Sequence, residues 1–279
     1  MLCAVALLCA TLTFACPASG TPRAHQLASF DEPPVLMYHR VDVVMPRSSL
    51  GRALSVTPDQ LEAQLRYLQA HHLRGVSVSE FYDRMKRGQS TADLAVITFD
   101  DGYADQFQYA VPLLQRFGDH ATFYIVTGML GRPNHMTWRN VRALAGEGMD
   151  VGAHGVMHVD LASLTPAQQA FQIDGSIAAL QRNANLGVVS YAYPSGRFNH
   201  TTEEILEHTA VRLAFTTDPV YTRGHRDQFD LTRVRVKGGW SLADFISALS
   251  YAEAHRPAVA PYDSVKSVSG IEVGKPKFE

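Results

Sequence analysis

Short apolar runs of strand length alternate along this chain with capped segments of helical periodicity, and that alternation restricts the fold more than any other feature. Residues 34–39 (PVLMYH) are an apolar run ending in polar side chains, the pattern of a short buried strand. Thr57-Pro58-Asp59-Gln60 then supplies a cap residue, a proline at the first helical position and a glutamine at the capping-box position. Leu61, Leu65 and Leu68 follow at i, i+4 and i+7, one stripe of an amphipathic helix. A strand is predicted at 76–78, a helix carrying Phe81, Tyr82 and Met85, and strands at 94–99 and 121–126. Thr137 caps a predicted helix with Val141 and Leu144 inward and a stop at Gly148, ahead of a strand at 149–153. Thr165-Pro166-Ala167-Gln168 repeats the capping box before Ile173, Ile177 and Leu180. Strands at 188–193, 213–217 and 232–236 come next, and a last helix starts at Ser241 with Asp244 reciprocal and Phe245 and Leu249 inward.

Strands separated by helices at this spacing imply a mostly parallel sheet with helical crossovers. Seven or eight such units in one chain favour a closed or nearly closed α/β barrel over two domains. With 46% hydrophobic and 19% charged residues, the 279-residue chain is no disordered polymer, and its net charge of −2 argues against a nucleic-acid partner. The apolar run 2–16 falls short of the roughly 20 residues that span a bilayer. Followed by Cys16-Pro17-Ala18-Ser19-Gly20, it reads as a secretory signal over 1–22, although no basic residue precedes Arg23. All three cysteines lie inside it, so the mature chain is expected to carry no thiol. Cys16 offers a lipid-acceptor alternative, against which Thr13 stands where such signals want an aliphatic residue. The expected domain covers 23–255, and 256–279 reads as a polar, poorly ordered tail.

In a barrel of this type functional groups belong at the C-terminal ends of the strands. Asp100-Asp101 directly follows an apolar strand, where two charges buried without partners would be costly. Adjacent strand residues face opposite ways, so both carboxylates serve one site only if the chain bends, which Gly102 permits. A solvated Asp-Asp-Gly turn is the plainer alternative. His154 and His158, four apart, fit two metal ligands on one side of a helical turn, and equally fit a chance surface pair. Together the two stretches supply two histidines and a carboxylate with coordination positions left over for water and substrate.

These segments resemble the polysaccharide deacetylase family (NodB homology, carbohydrate esterase family 4), in particular its branch of poly-β-1,6-N-acetylglucosamine deacetylases. The similarity is carried by residues 34–41 (PVLMYHRV), 98–103 (TFDDGY), 121–126, 136–148, 154–158 (HGVMH), 191–196 and 231–236 (LTRVRV), in family order. The resemblance implies a distorted, incomplete (β/α) barrel of about seven parallel strands. It implies that Asp100 is a general base and that Asp101, His154 and His158 hold a divalent metal, zinc first, with nickel, cobalt or iron as alternatives. It further implies that His39 is the general acid, that Arg233 holds the base in position, and that Ser195 offers its backbone N–H to an oxyanion. The implied partner is an N-acetylated polysaccharide and the implied location is the cell envelope or beyond.

Two departures bear on this. Many members of the family carry arginine where this chain has Ala192, an arginine that the branch with an Ala-Tyr-Pro pattern lacks too, and the family's usual tyrosine after the proline is Ser195 here. Peptidoglycan or chitin-type β-1,4 polymers, and an acetyl ester, stay open as substrates, because specificity sits in loops such as 42–55 and 132–136. A silent glycan-binding module and a two-histidine-one-carboxylate iron oxygenase are the readings from other classes.

Overall fold

The structure, a computed structural model, describes residues 33–217 and 228–254. The expected leader, Cys16 and the polar tail lie outside the described residues.

Strand β1 (Val35–Tyr38) runs through His39 into the two-residue β2 (Arg40–Val41), which pairs with β3 (Ser55–Val56) after the short helix α1 (Ser49–Leu54). Helix α2 (Pro58–Ala70) begins as its sequence predicts: Thr57 Oγ1 accepts from the Gln60 N–H and Gln60 Oε1 accepts from the Thr57 N–H, at 3.1 and 2.8 Å. Such a cap contributes about 1 kcal/mol. Its stripe of Leu61, Leu65 and Leu68 is buried. The strand expected at 76–78 is displaced. β4 (Arg74–Val76) ends before Ser77, whose Oγ accepts from the Glu80 N–H (3.2 Å) and caps α3 (Val78–Lys86). A serine inside an apolar triplet reads as strand interior, but its hydroxyl satisfies a helical N–H that has no other partner.

The remainder alternates as expected. β5 (Leu94–Phe99) leads through a wide helical turn into α4 (Val111–Phe117), followed by β6 (Thr122–Ile125), α5 (Trp138–Gly146) and β7 (Asp150–Ala153). Then come α6 (Pro166–Ala184), β8 (Ser190–Ala192), α7 (His200–Glu207), β9 (Leu213–Phe215), β10 (Val234–Arg235) and α8 (Leu242–Ala254). Helices α4 and α7 have no counterpart among the predicted elements. With seven and eight residues they offer barely two turns of periodicity, and each buries two side chains.

The main sheet is wholly parallel, in the order β10-β1-β5-β6-β7-β8-β9, with β4 beside the first half of β5 and β6 beside its second half. It curls. Leu231, just ahead of β10, donates to Ala214 O (3.0 Å) and accepts from Thr216 N–H (2.9 Å), so one short segment touches both edges of the curl. The architecture is the distorted (β/α) barrel that the sequence implied.

The period of two along β5 divides the core. Ala95, Ile97 and Phe99 pack outward with Leu61, Leu65 and Leu114 of the helices. Leu94 and Val96 pack inside the curl with Tyr124, Ala192, Phe215 and Leu231. Thr98 and Asp100 share the parity of Leu94 and Val96, which aims Asp100 into the barrel at its C-terminal mouth.

Candidate active site

Asp100 is 1% exposed, and each of its oxygens accepts a hydrogen bond. Arg233 Nη1 donates to its Oδ1 and Arg233 Nη2 to its Oδ2, both at 2.7 Å, a bidentate pair. The guanidinium is itself buried and over-determined. Nη1 also donates to Thr98 Oγ1 (3.1 Å), Nε donates to Thr216 O (3.1 Å), and its carbon lies 5.6 and 6.0 Å from the Tyr124 and Phe215 rings. Burial is the largest influence on Asp100 and would raise its pKa, but the charge and hydrogen bonds of Arg233, joined by His154 and His39, together outweigh it and hold the carboxyl below its ordinary value. Asp100 is therefore ionised at neutral pH.

Asp101 is built in the opposite way. The bend anticipated at Gly102 begins one residue earlier, because Asp101 itself adopts a left-handed backbone (φ +75°), followed by Gly102 at +72°. Two consecutive left-handed residues swing the second carboxylate back to the same mouth as the first. A non-glycine residue in that region costs on the order of 1–3 kcal/mol and persists where its surroundings impose it. Asp101 Oδ1 is buried and accepts no hydrogen bond, yet it lies 3.4 Å from His154 Nε2 and 3.5 Å from His158 Nε2. Burial would raise its pKa, but the two imidazoles and His39 hold it well below the usual carboxylate range.

The histidines meet without a helix. Residues 154–158 form a loop, and Gly155 takes φ +80°, so the four-residue spacing works by a left-handed kink, contrary to the helical turn expected. The loop is pinned from outside: Thr127 N–H donates to Gly155 O (3.1 Å), Gly128 N–H to Val156 O (2.8 Å), and Met157 N–H to Gln172 Oε1 (2.8 Å). His154 Nδ1 donates to Ala192 O (2.6 Å), which leaves Nε2 as the lone-pair nitrogen facing Asp101. Its side chain is buried while that of His158 is 42% exposed, so the cluster has a dry side and an open one. The ligand atoms of Asp101, His154 and His158 lie within 4.8 Å of one another. Donors about 2.0–2.2 Å from a tetrahedral ion stand about 3.3–3.6 Å apart, so the two measured separations and the orphaned oxygen fit a divalent cation.

Comparison with known proteins gives this geometry a family. The family model described as polysaccharide deacetylase matches residues 87–214, which hold both aspartates and both histidines. YxkH of Bacillus subtilis (strain 168), whose name provisionally marks it as a polysaccharide deacetylase, is 29% identical over 213 residues, 76% of this chain and 74% of its own length. The Streptococcus pyogenes deacetylase PplD, solved in complex with acetate, superposes with a TM-score of 0.71 at 27% identity over 78% of this chain and 97% of that one. By these matches the chain is similar to the polysaccharide deacetylases. A more distant relative, the poly-β-1,6-N-acetyl-D-glucosamine N-deacetylase of Staphylococcus aureus (strain MSSA476), is 20% identical over 65% of this chain and 68% of its own length.

The deacetylase places the remaining expected residues unequally. His39, just past β1, is nearly buried with Nδ1 unpartnered, and burial lowers its pKa against the opposing pull of Asp100 and Asp101. It therefore rests neutral at pH 7, whereas a general acid was expected to rest protonated. Ser195 lies exposed beyond β8 in a left-handed conformation (φ +56°), and its carbonyl accepts from Thr217 Oγ1 (3.3 Å). Sequence reasoning missed Thr98, Gln172 and Gln106, whose partners lie on other elements and leave no local pattern. At the rim, Arg40 pairs with Asp105 (3.0 Å) and sits 5.0 Å over the Tyr103 ring, and burial raises the Tyr103 phenol to about 12. None of the described helices is long and apolar enough to cross a membrane.

Proposed function

We propose that this deacetylase removes N-acetyl groups from an N-acetylglucosamine polymer, with the β-1,6-linked polymer preferred, and that residues 23–255 are its catalytic domain. The observation that carries the chemistry is the unequal treatment of two adjacent aspartates, one paired through both oxygens with Arg233 and one with an oxygen left bare between two histidines. The linkage rests on Ala192-Tyr193-Pro194, which lacks the arginine common elsewhere in the family, and on the staphylococcal relative.

Asp101, His154 and His158 would hold a divalent cation, zinc first for this mixed nitrogen and oxygen set; when bound it lowers the pKa of water toward about 7 and polarises a carbonyl. Asp100 takes the water proton. Arg233 uses one lone-pair site on each of its oxygens and leaves others free. Its depressed pKa makes it a weak base, which suffices for an acidified water and keeps it ionised for every turnover. Water oxygen bonds to the acetyl carbon, the C–N bond breaks, and acetate departs. The amine nitrogen takes its proton from the imidazolium form of His39, the minor form at pH 7, which the two aspartates favour and burial opposes, and the proton that Asp100 took from water restores that form after acetate leaves. The Ser195 N–H supports the developing oxyanion, a contribution of about 3 kcal/mol. A leader at 1–22 would export the chain to such a polymer, which cell fractionation tests.

The deciding experiment measures acetate release from β-1,6-linked N-acetylglucosamine oligomers, chitin oligomers and peptidoglycan, after chelation and after zinc is restored. Zinc-dependent release from the first alone is expected. Release from a β-1,4 polymer instead overturns the linkage, and none from any polymer by zinc-loaded protein leaves a glycan-binding module.

A further inference from the structure

Gln106, which no motif contains, bridges the backbones of His39 and Asp100. The parallel ladder between β1 and β5 ends at Tyr38 opposite Phe99, with a last bond from Asp100 N–H to Tyr38 O (2.9 Å). Beyond it the strands part, because Arg40 and Val41 leave to pair with β3. Two carbonyls at the fork, those of His39 and Asp100, are taken up by one side chain. Gln106 Nε2 donates to Asp100 O at 2.5 Å and also to His39 O. Gln106 is fully buried, and its Oε1 has no hydrogen-bond partner among the described residues. A flipped amide would set Oε1 against two carbonyl oxygens, so the partners fix which end points to the fork.

The backbone around Gln106 is unusual as well. Residues Gln106–Ala110 form one turn of wide helix, closed by the Val111 N–H on Gln106 O, before α4 begins. Such turns cost regularity and recur at functional sites. Ordinary packing of this segment asks for an apolar side chain at Gln106, since its neighbours Ala110, Val111 and Leu114 are core.

We propose that Gln106 is a positioning residue that sets the separation of His39 and Asp100 by clamping the backbone of both. This rests on the roles proposed above for those two groups. A displacement of about 1 Å in a reacting group costs on the order of 10²-fold, so loss of the clamp acts on kcat first, while His154 and His158, held by a separate loop, stay in place to keep zinc bound.

The test pairs Gln106→Met, which keeps volume without donors, with Gln106→Glu, which keeps shape but turns the donor end into an acceptor. Melting temperature, zinc stoichiometry, kcat and KM are measured for each, together with Asp100→Asn and the Asp100→Asn/Gln106→Met double variant. The expected result is a kcat about 10²-fold lower with KM within about threefold and zinc still stoichiometric. The double variant is expected to be no slower than Asp100→Asn alone, because two residues acting through one step do not add. A folded Gln106 variant with wild-type kcat overturns the proposal. So does a double variant slower by the full product, or failure of both Gln106 variants to fold, since each assigns the glutamine to stability alone. If Asp100→Asn itself retains full activity, the assignment of the base has failed, and that outcome is read independently of Gln106.

Discussion

Asp100 and Asp101 are neighbours in sequence and opposites in environment. The first has both oxygens on Arg233, and the arginine is braced by Thr98, Thr216 and two aromatic rings. The second keeps a buried oxygen bare, with two imidazole nitrogens at 3.4 and 3.5 Å. A protein rarely leaves a buried carboxylate oxygen unpaired unless something else is meant to meet it. The difference teaches that identical side chains take separate duties from what surrounds them, one kept charged and oriented, the other kept available.

The comparison can be broken from either side. The largest effect is expected at Asp100, where Asp100→Asn should lower kcat by about 10²–10⁴-fold while bound zinc, measured by titration, stays stoichiometric. Loss of zinc in that variant would merge the two duties. His154→Ala should do the reverse first, abolishing stoichiometric zinc and, with it, acetate release. A variant that still binds one zinc at wild-type affinity would remove His154 from the ligand set.

Arg233→Met strands a buried carboxylate, which should destabilise the fold by about 3–5 kcal/mol in denaturant titration. The pH dependence should change sign. In the native protein the folded pKa of Asp100 is depressed, so its stabilising contribution is complete above the unfolded value and is lost only as pH falls through the depressed one. Without Arg233, burial meets only the weaker pull of His154 and His39 and raises that pKa, so the variant should recover stability as pH falls from 7 toward 5. A pH-independent deficit would show that Arg233 works by packing alone.

Smaller effects separate the supports of each side. Gln172→Ala releases the Met157 N–H, and the loop between the histidines with it, so zinc affinity should weaken by about tenfold. Thr98→Val removes one partner of Arg233 and should cost about 1 kcal/mol with zinc affinity unchanged.

Much of this was legible in the chain. Capping boxes at Thr57, Thr137 and Thr165 mark helix starts, and apolar runs mark β1, β5, β6 and β7, because both signals are local and recur at fixed spacing. Ser77 misled for the same reason: hydroxyl residues serve strands and caps alike, and only the following turn decides. The histidine spacing pointed to a pair that does come together, but by another geometry, since a glycine at +80° does what a helical turn was expected to do. Gln106 was invisible because a glutamine in a helical stretch carries no sign of which carbonyls it will reach.

The sequence by itself determined the order of strands and helices, the parity that sends Asp100 into the barrel, and the residue types that meet at its mouth. These follow from periodicity and capping, which depend on neighbours a few places away. Tertiary structure alone decided which aspartate is paired and which is bare. That choice is made by Arg233, 133 residues along the chain from Asp100, and by histidines on a separate loop, and no local rule spans such a gap.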